Sequence, residues 1–285
     1  MQSAPSNDDI ESINISVLIL TFNEEQNIAE CLESVTFSDD IVVLDSKSTD
    51  NTTNIAQKYD AIVLSREFDD YASQRNFGLS YDFKHEWILM LDADERLLSN
   101  ARGEIKSVVE RKKNPTTLYR MRRKDVFMGR WLKHSSGYPT WFGRLFRKGK
   151  VTVKRAINEE YYTDGKVGLM EGHLIHYPFN KGIEHWLDRH NQYSSMEAKV
   201  LVSERARKIV LKHFFSSDPM LKRKAFKAFA YRIPFRPFIV FLFLYFLKLG
   251  LLDGRAGFKF CLLRSFYEYM IDLKTNENKN FKSLN

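Results

Sequence analysis

Apolar and polar positions alternate between two periods along the first hundred residues. Ile13–Leu20 (INISVLIL), Ile41–Asp45 (IVVLD), Ala61–Ser65 (AIVLS) and Trp87–Leu91 (WILML) are short, nearly continuous apolar runs. That pattern predicts strands covered on both faces. Between the runs the apolar positions shift to helical spacing, as at Ile28, Cys31, Leu32 and Val35 in EEQNIAECLESV. SKSTDNTTNIAQKY opens with helix-capping residue types and continues as a helix; DYASQRNFGLSYDF and SNARGEIKSVVERKK predict two more. Strands alternating with helices predict an α/β fold, a Rossmann-like, mostly parallel sheet flanked by helices. Such sheets bind ligands outside the carboxyl ends of their strands.

From Thr117 to Tyr177 the signals become shorter and richer in aromatics and arginine. This predicts β and loop structure that completes a site rather than a new domain. HWLDRHNQYSSMEAKVLVSERARK predicts a long helix, and after Ser216 the character changes. LKRKAFKAFAYRI places Leu221, Ala225, Phe226 and Phe229 on one helical face, with Lys222, Arg223, Lys224 and Lys227 elsewhere. Phe238 to Leu247 then form ten uninterrupted apolar residues, short of the roughly 18–20 that span a bilayer. A basic amphipathic helix followed by a short, very apolar one fits an interfacial or re-entrant membrane anchor; the alternative is a helix buried against the body or a partner. The expected division is a flexible N-terminus over 1–12, an α/β domain over 13–195 with halves at 13–115 and 116–195, and a helical region over 196–285. Within that last region, 221–252 is the expected membrane-interface segment.

Composition narrows the classes. With 44% hydrophobic and 28% charged residues in 285, the chain is globular rather than disordered. Cys31 and Cys261 are the only cysteines, which excludes a disulfide framework and points to a reducing compartment, the cytoplasm. The polar, acidic MQSAPSNDDIESIN has no apolar core of a secretory signal. The net charge of +8 is uneven: Arg120–Arg155 holds twelve Lys/Arg against Asp125 alone, and Leu201–Gly250 holds eleven against Glu204 and Asp218. Two basic regions on an otherwise acidic chain suggest diphosphate, phospholipid or nucleic-acid partners, or simply solvated faces.

Candidate chemistry gathers at the predicted strand ends: TFNEE (Thr21–Glu25), DSKSTD (Asp45–Asp50) and DADE (Asp92–Glu95), with Arg75 in SQRN between the third and fourth strands. Asp45 and Asp50 can accept from the imide and ribose hydroxyls of a nucleotide, and Arg75 can neutralise phosphate or pair with a carboxylate. Asp92 and Asp94, two residues apart in an extended terminus, can project to one side and hold a hard divalent ion bridging phosphate oxygens. Mg²⁺ or Mn²⁺ suits such a site better than Zn²⁺, because no Cys/His cluster accompanies the acids. D-x-D alone is a weak signal; following an apolar strand, with two earlier acidic strand ends at α/β spacing, it is a strong one.

ISVLILTFNEEQNIAECLESV, IVVLDSKSTDNT, YASQRNFGL and WILMLDADERL together resemble the nucleotide-sugar-binding core of family 2 glycosyltransferases, which have the GT-A fold. GRWLKHSSGYP, GRLFRKGK, LIHYPF and LLDGRAGF resemble, more loosely, the branch that builds lipopolysaccharide core, so the likeness covers roughly Ile13 to Tyr269. The resemblance implies a metal-dependent, inverting transfer of a sugar, a hexose from a UDP-sugar, to a lipid-linked or lipopolysaccharide-core-type glycan. It implies nucleotide contacts at Thr21, Asn23, Glu24, Asp45, Asp50 and Arg75, and metal and diphosphate contacts at Asp92 and Asp94. The expected setting is the cytoplasmic face of an anionic membrane, with no nucleic-acid partner. Two positions depart from the family's glycines: Lys47 and Asn51. Asn51 is expected to take up the left-handed turn, Lys47 to reach phosphate or solvent. Where the branch carries a His-Glu pair, this chain reads Asn158-Glu159. Glu159 is the candidate general base, with Glu160 and Asp125 as rivals and a surface salt bridge as its bland alternative. Arg144 and Arg147 are candidates for leaving-group or acceptor phosphates, or else structural partners of the acids. His173 and His176 read as packing or acceptor-site residues, and Trp131, Tyr138 and Trp141 as sugar-stacking or core aromatics.

Two other classes compete. A D-x-D phosphatase or phosphotransferase places its motif after the first strand rather than the fourth, and DADER lacks the Thr that would follow. A non-catalytic nucleotide-sugar or nucleic-acid binder would use the basic regions alone.

Overall fold

A computed structural model of the chain describes residues 11–154, 160–205, 233 and 235–283. These form two compact units: Met1–Val126 with Pro139–Asn180, and Phe127–Tyr138 with Lys181–Asn285. The first unit ends at Asn180, and the twelve residues Phe127–Tyr138 belong to the second.

The first unit opens with β1 (Ser16–Thr21), α1 (Ile28–Glu33), β2 (Asp40–Asp45), α2 (Thr52–Lys58), β3 (Ile62–Ser65), α3 (Tyr71–Leu79) and β4 (Trp87–Asp92). The short β5 (Glu95–Leu97) and α4 (Ser99–Val109) follow, then β6 (Thr116–Phe127) and, after β7 (Arg130–Trp131) of the second unit, β8 (Trp141–Arg147), β9 (Thr152–Lys154), β10 (Glu160–Tyr162) and β11 (Lys166–His176). The main sheet runs β3-β2-β1-β4-β8-β6-β11-β5, and β9 and β10 form a small antiparallel pair. Strands β1 to β4 are mutually parallel, while β8 is antiparallel to both β4 and β6. This is the expected α/β architecture: a mixed, mostly parallel sheet flanked by helices.

The apolar runs are continuous because both faces are covered. Val17, Ile19, Leu89 and Leu91 pack in one core with Ile28, Cys31 and Leu32 of α1, while Leu18, Val42, Leu44, Ile88 and Met90 form the other. Gly78 lets α3 lie close over that second face, since a Cβ there would come within 2.7 Å of the Leu18 side chain. The chain builds outward from β1 to β3 and returns through α3 to β4 on the other side of β1. The carboxyl ends of β1 and β4 therefore form a topological switch point, where an open α/β sheet has its crevice.

Among its described residues the second unit holds, besides Phe127–Tyr138, α5 (Gly182–Arg205), α6 (Arg236–Leu242), a π-helical turn (Phe243–Leu247), a 3₁₀ turn (Gly250–Asp253) and α7 (Gly254–Ser283). Here two of the looser motifs prove to be physical partners. Asp253 of LLDGRAGF accepts from the backbone N–H groups of Lys133, His134 and Ser135 at 3.2, 3.0 and 2.8 Å, and from the Ser135 hydroxyl at 2.7 Å. Gly257 permits the close return of α7, because a Cβ there would lie 2.2 Å from the Gly250 carbonyl oxygen. The expected basic helix at 221–233 lies, but for Ile233, outside the described residues.

Candidate active site at the strand ends

The register aligns the predicted site residues. Thr21 stands opposite Asp45, and Leu20 opposite Asp92. Backbone bonds carry the ladder one step past the strands, from Ser46 N to Thr21 O at 2.9 Å and from Ala93 N to Leu20 O at 3.0 Å. The loops after β1 and β2 are stitched together. Asn23 receives Thr49 N–H on its side chain at 2.8 Å and donates its own N–H to the Ser48 hydroxyl at 2.7 Å. Glu24 donates N–H to Thr52 Oγ1 at 2.7 Å, and its carboxylate holds the Asn27 amide at 2.8 Å. Asp45, buried, accepts from Ser48 N–H at 2.8 Å, and Asp50 accepts from Thr52 N–H at 3.0 Å and Glu25 N–H at 3.1 Å. These acids thus shape the loops after β1 and β2 as well as lining them. The Thr21 hydroxyl is buried, and no hydrogen-bond partner among the described residues reaches it.

The left-handed residue in the β2 loop is Lys47, with φ 66°, and not Asn51, whose φ is −78°. The expectation for these two positions was therefore reversed. A side chain at φ 66° strains the backbone where glycine would not.

At the end of β4 the acids meet cations from four other elements. Asp70 caps α3 by accepting Ser73 N–H at 3.0 Å, and five residues on Arg75 reaches Asp92 Oδ1 at 3.0 Å. Arg144 of β8 donates through Nη2 to both Asp92 Oδ2 and Glu95 Oε1, each at 2.8 Å. Glu95 is fully buried and also accepts Asp92 N–H at 3.2 Å, with Arg123 of β6 at 3.5 Å. Strand β11 places His176 opposite both Glu95 and Asp125. His176 Nδ1 lies 2.7 Å from Asp125 Oδ1, its Nε2 lies 3.2 Å from Asp94 Oδ2, and Arg123 Nε donates to Asp125 at 3.0 Å. A continuous ionic chain results: Arg75, Asp92, Arg144, Glu95, Arg123, Asp125, His176, Asp94.

The electrostatics follow from burial and partners. Burial pushes the Asp92 carboxyl up, but Arg75 and then Arg144 outweigh it and hold the acid below the ordinary carboxylate range. Burial and Arg123 disfavour a charged His176, yet the Asp94 and Asp125 carboxylates raise it to about 9. The protein's own cations therefore relieve much of the repulsion between Asp92 and Asp94.

The geometry also places the remaining candidates. Arg144 is 2% exposed and committed to two carboxylates; it orders the acids rather than greeting a phosphate at the surface. Arg147 lies at the opposite end of β4, where it faces Trp87, donates to Asn114 O at 2.9 Å and pairs with Glu86 at 3.4 Å. Asp125 is engaged by both Arg123 and His176. Trp131 and Tyr138 pack edge to face in the second unit, whereas Trp141 lies under Arg122 in the first. Glu159 lies outside the described residues. From sequence, Glu95 reads only as a member of the strand-end DADE, Arg123 has no assigned role, and His176 reads as a packing or acceptor-site residue.

A divalent ion fits these residues in a limited way. Among the described residues no group of three or more His, Cys, Asp or Glu converges on one point. Asp94 Oδ2 and His176 Nε2 do face each other, and two ligands at right angles about 2.1 Å from a metal stand about 3 Å apart. The pair can supply two donors once His176 gives up its Nε2 proton, leaving the other positions to water and ligand oxygens.

Fold and site together define an α/β protein whose charged residues gather at a sheet switch point. The chain belongs to glycosyl transferase family 2, whose model matches residues 16–165, and it is a glycosyltransferase. It is 29% identical over 202 residues to an uncharacterized glycosyltransferase of Rickettsia typhi, covering 67% of this chain and 68% of that one. It is 26% identical over 283 residues to the lipopolysaccharide core biosynthesis glycosyltransferase LpsC of Rhizobium meliloti, covering 96% of each. Among solved structures, the mannosyltransferase PcManGT of Pyrobaculum calidifontis, in complex with GDP-Man and Mn²⁺, aligns over 94% of this chain and 88% of its own at 14% identity and TM-score 0.48.

Proposed function

We propose that this glycosyltransferase moves a hexose from a UDP-sugar, with inversion and with a divalent ion, onto a lipid-linked glycan of the lipopolysaccharide-core type. The observation that carries the reading is the clustering of Asp92 and Asp94, after β4, with Arg75 of α3 and His176 of β11, while Asp45 ends β2 on the other side of β1. The full-length likeness to LpsC supports the acceptor class.

Asp45 and Asp50 hold the nucleoside by accepting from its base and ribose, exchanging loop hydrogen bonds for ligand ones. Arg75 and Arg144 fix the Asp92 carboxylate at the crevice. Asp125 orients His176, so that Nε2 and the Asp94 carboxylate present two donors to Mg²⁺ or Mn²⁺. A bound ion supplies charge neutralisation at the departing diphosphate. Glu159 takes the proton of the acceptor hydroxyl as its oxygen bonds to the anomeric carbon and the bond from that carbon to the diphosphate breaks.

Release of nucleotide from a panel of UDP-, GDP- and ADP-sugars, with Mn²⁺ or with EDTA, tests this. UDP-sugars with Mn²⁺ are expected to be cleaved, and Asp94→Asn to lose about a hundredfold or more. Glu159→Gln should slow transfer while leaving UDP binding intact. Unchanged turnover in Asp94→Asn would remove the D-x-D assignment, and tight DNA or RNA binding without turnover would favour a basic binding module.

A further inference from the structure

Residues 236–247, spanning α6 and the π-helical turn, include not one buried side chain. Phe238, Phe246 and Leu247 are 62%, 52% and 76% exposed, and beyond the bend Leu252 is 52% exposed. A core helix of this composition would hide most of that surface, and soluble proteins seldom expose so large an apolar patch. The two helical segments, Arg236–Leu247 and Gly250–Asn278, meet at 74°. Neither is long and apolar enough to cross a membrane alone, although together they match the length and composition of a broken span or re-entrant loop. At about 1.5 Å per residue the first arm reaches about 18 Å, against a hydrocarbon core of about 30 Å. It can enter a leaflet without crossing the bilayer.

The corner is braced. Asp253 gathers three backbone N–H groups of the 133–135 loop, and Arg130 donates to Leu252 O at 2.9 Å. A pre-formed apolar corner loses little conformational freedom when it is buried. Cations flank it: Lys248 lies at the bend, and Arg255, Lys259 and Arg264 follow on α7. Five apolar residues from Phe258 to Leu273, spaced by three or four, continue an exposed stripe along that helix. Apolar side chains bordered by lysine and arginine suit the boundary between acyl chains and anionic headgroups.

We infer that the 236–253 corner inserts part-way into the anionic cytoplasmic leaflet and holds the enzyme there as a monotopic attachment. The inference deepens the proposed function, resting on it only for the lipid nature of the acceptor that makes attachment useful.

Sedimentation of the full chain with phosphatidylcholine vesicles, with and without phosphatidylglycerol, tests it. Wild-type protein should pellet with the anionic vesicles, and the Phe246→Glu, Leu247→Glu double variant should partition about tenfold or more weakly. Its melting temperature and UDP-sugar hydrolysis should stay as in the wild type, which separates loss of insertion from misfolding. A wild-type chain that ignores anionic vesicles, or a variant that pellets as well as the wild type, would overturn the inference. So would a dimer in light scattering that the double variant splits while vesicles leave it unaffected, since the corner would then seat against a second copy. If vesicle binding holds while no nucleotide sugar is cleaved, the attachment stands and the catalytic reading fails.

Discussion

Two apolar runs in this chain look alike as letters and have opposite fates. Trp87–Leu91 is no more than 2% exposed at any position and lies at the centre of a sheet, ending in acids that four other elements neutralise. Phe238–Leu247, twice as long, buries none of its side chains. In the first unit the protein supplies its own partners, apolar for the strand and ionic for its end. In the second, Phe241 and Tyr245 of the run meet Phe258 of α7, while Phe238, Phe246 and Leu247 stay exposed. An apolar run therefore predicts burial, while the neighbouring elements decide what does the burying.

The comparison can be broken most severely at the ionic chain. Arg144→Met leaves the buried Glu95 with Arg123 at 3.5 Å as its nearest remaining cation. The loss should be about 3–5 kcal/mol in denaturant unfolding of the first unit, with Glu95→Leu added to the variant restoring part of it. If Arg144→Met is neutral, the acids are not held as described. A smaller effect is expected at the brace of the second unit. Asp253→Ala removes the acceptor of three N–H groups and should cost about 2–3 kcal/mol, seen as faster amide exchange at residues 133–135. The smallest change runs the other way. Lys47→Gly releases a left-handed side chain and should stabilise the fold by about 1 kcal/mol. A loss of UDP affinity in the same variant would show what the strain secures.

Much of the first unit was legible. Two-sided strands write themselves as unbroken apolar runs, and helices as spaced ones, so β1 to β4 and α1 to α4 emerged within a few residues of their bounds. Strand β5 did not, because Glu95–Leu97 is three residues long and exists through pairing with β11, some eighty residues later. The same cause hid the partners of Glu95, the role of Arg123 and the full role of His176. Their meeting depends on the register of β6, β8 and β11, and no local period encodes register between distant strands. Arg144 and Arg147 show the limit at close range. Three residues apart on one strand, they serve opposite ends of β4. The Lys47 and Asn51 reversal has a local cause: both lie in one loop, and residue type favours asparagine for the left-handed position while the loop's hydrogen bonds require it at Lys47.

The central claim is that Asp94, faced by His176, is where a divalent ion and the donor diphosphate meet. Titration calorimetry of UDP into the wild-type chain and into Asp94→Asn, each with Mn²⁺ and with EDTA, tests it directly. The account predicts Mn²⁺-dependent binding in the wild type and its loss in Asp94→Asn, with both proteins equally folded. UDP binding of equal strength in EDTA, or undiminished in Asp94→Asn, would contradict it.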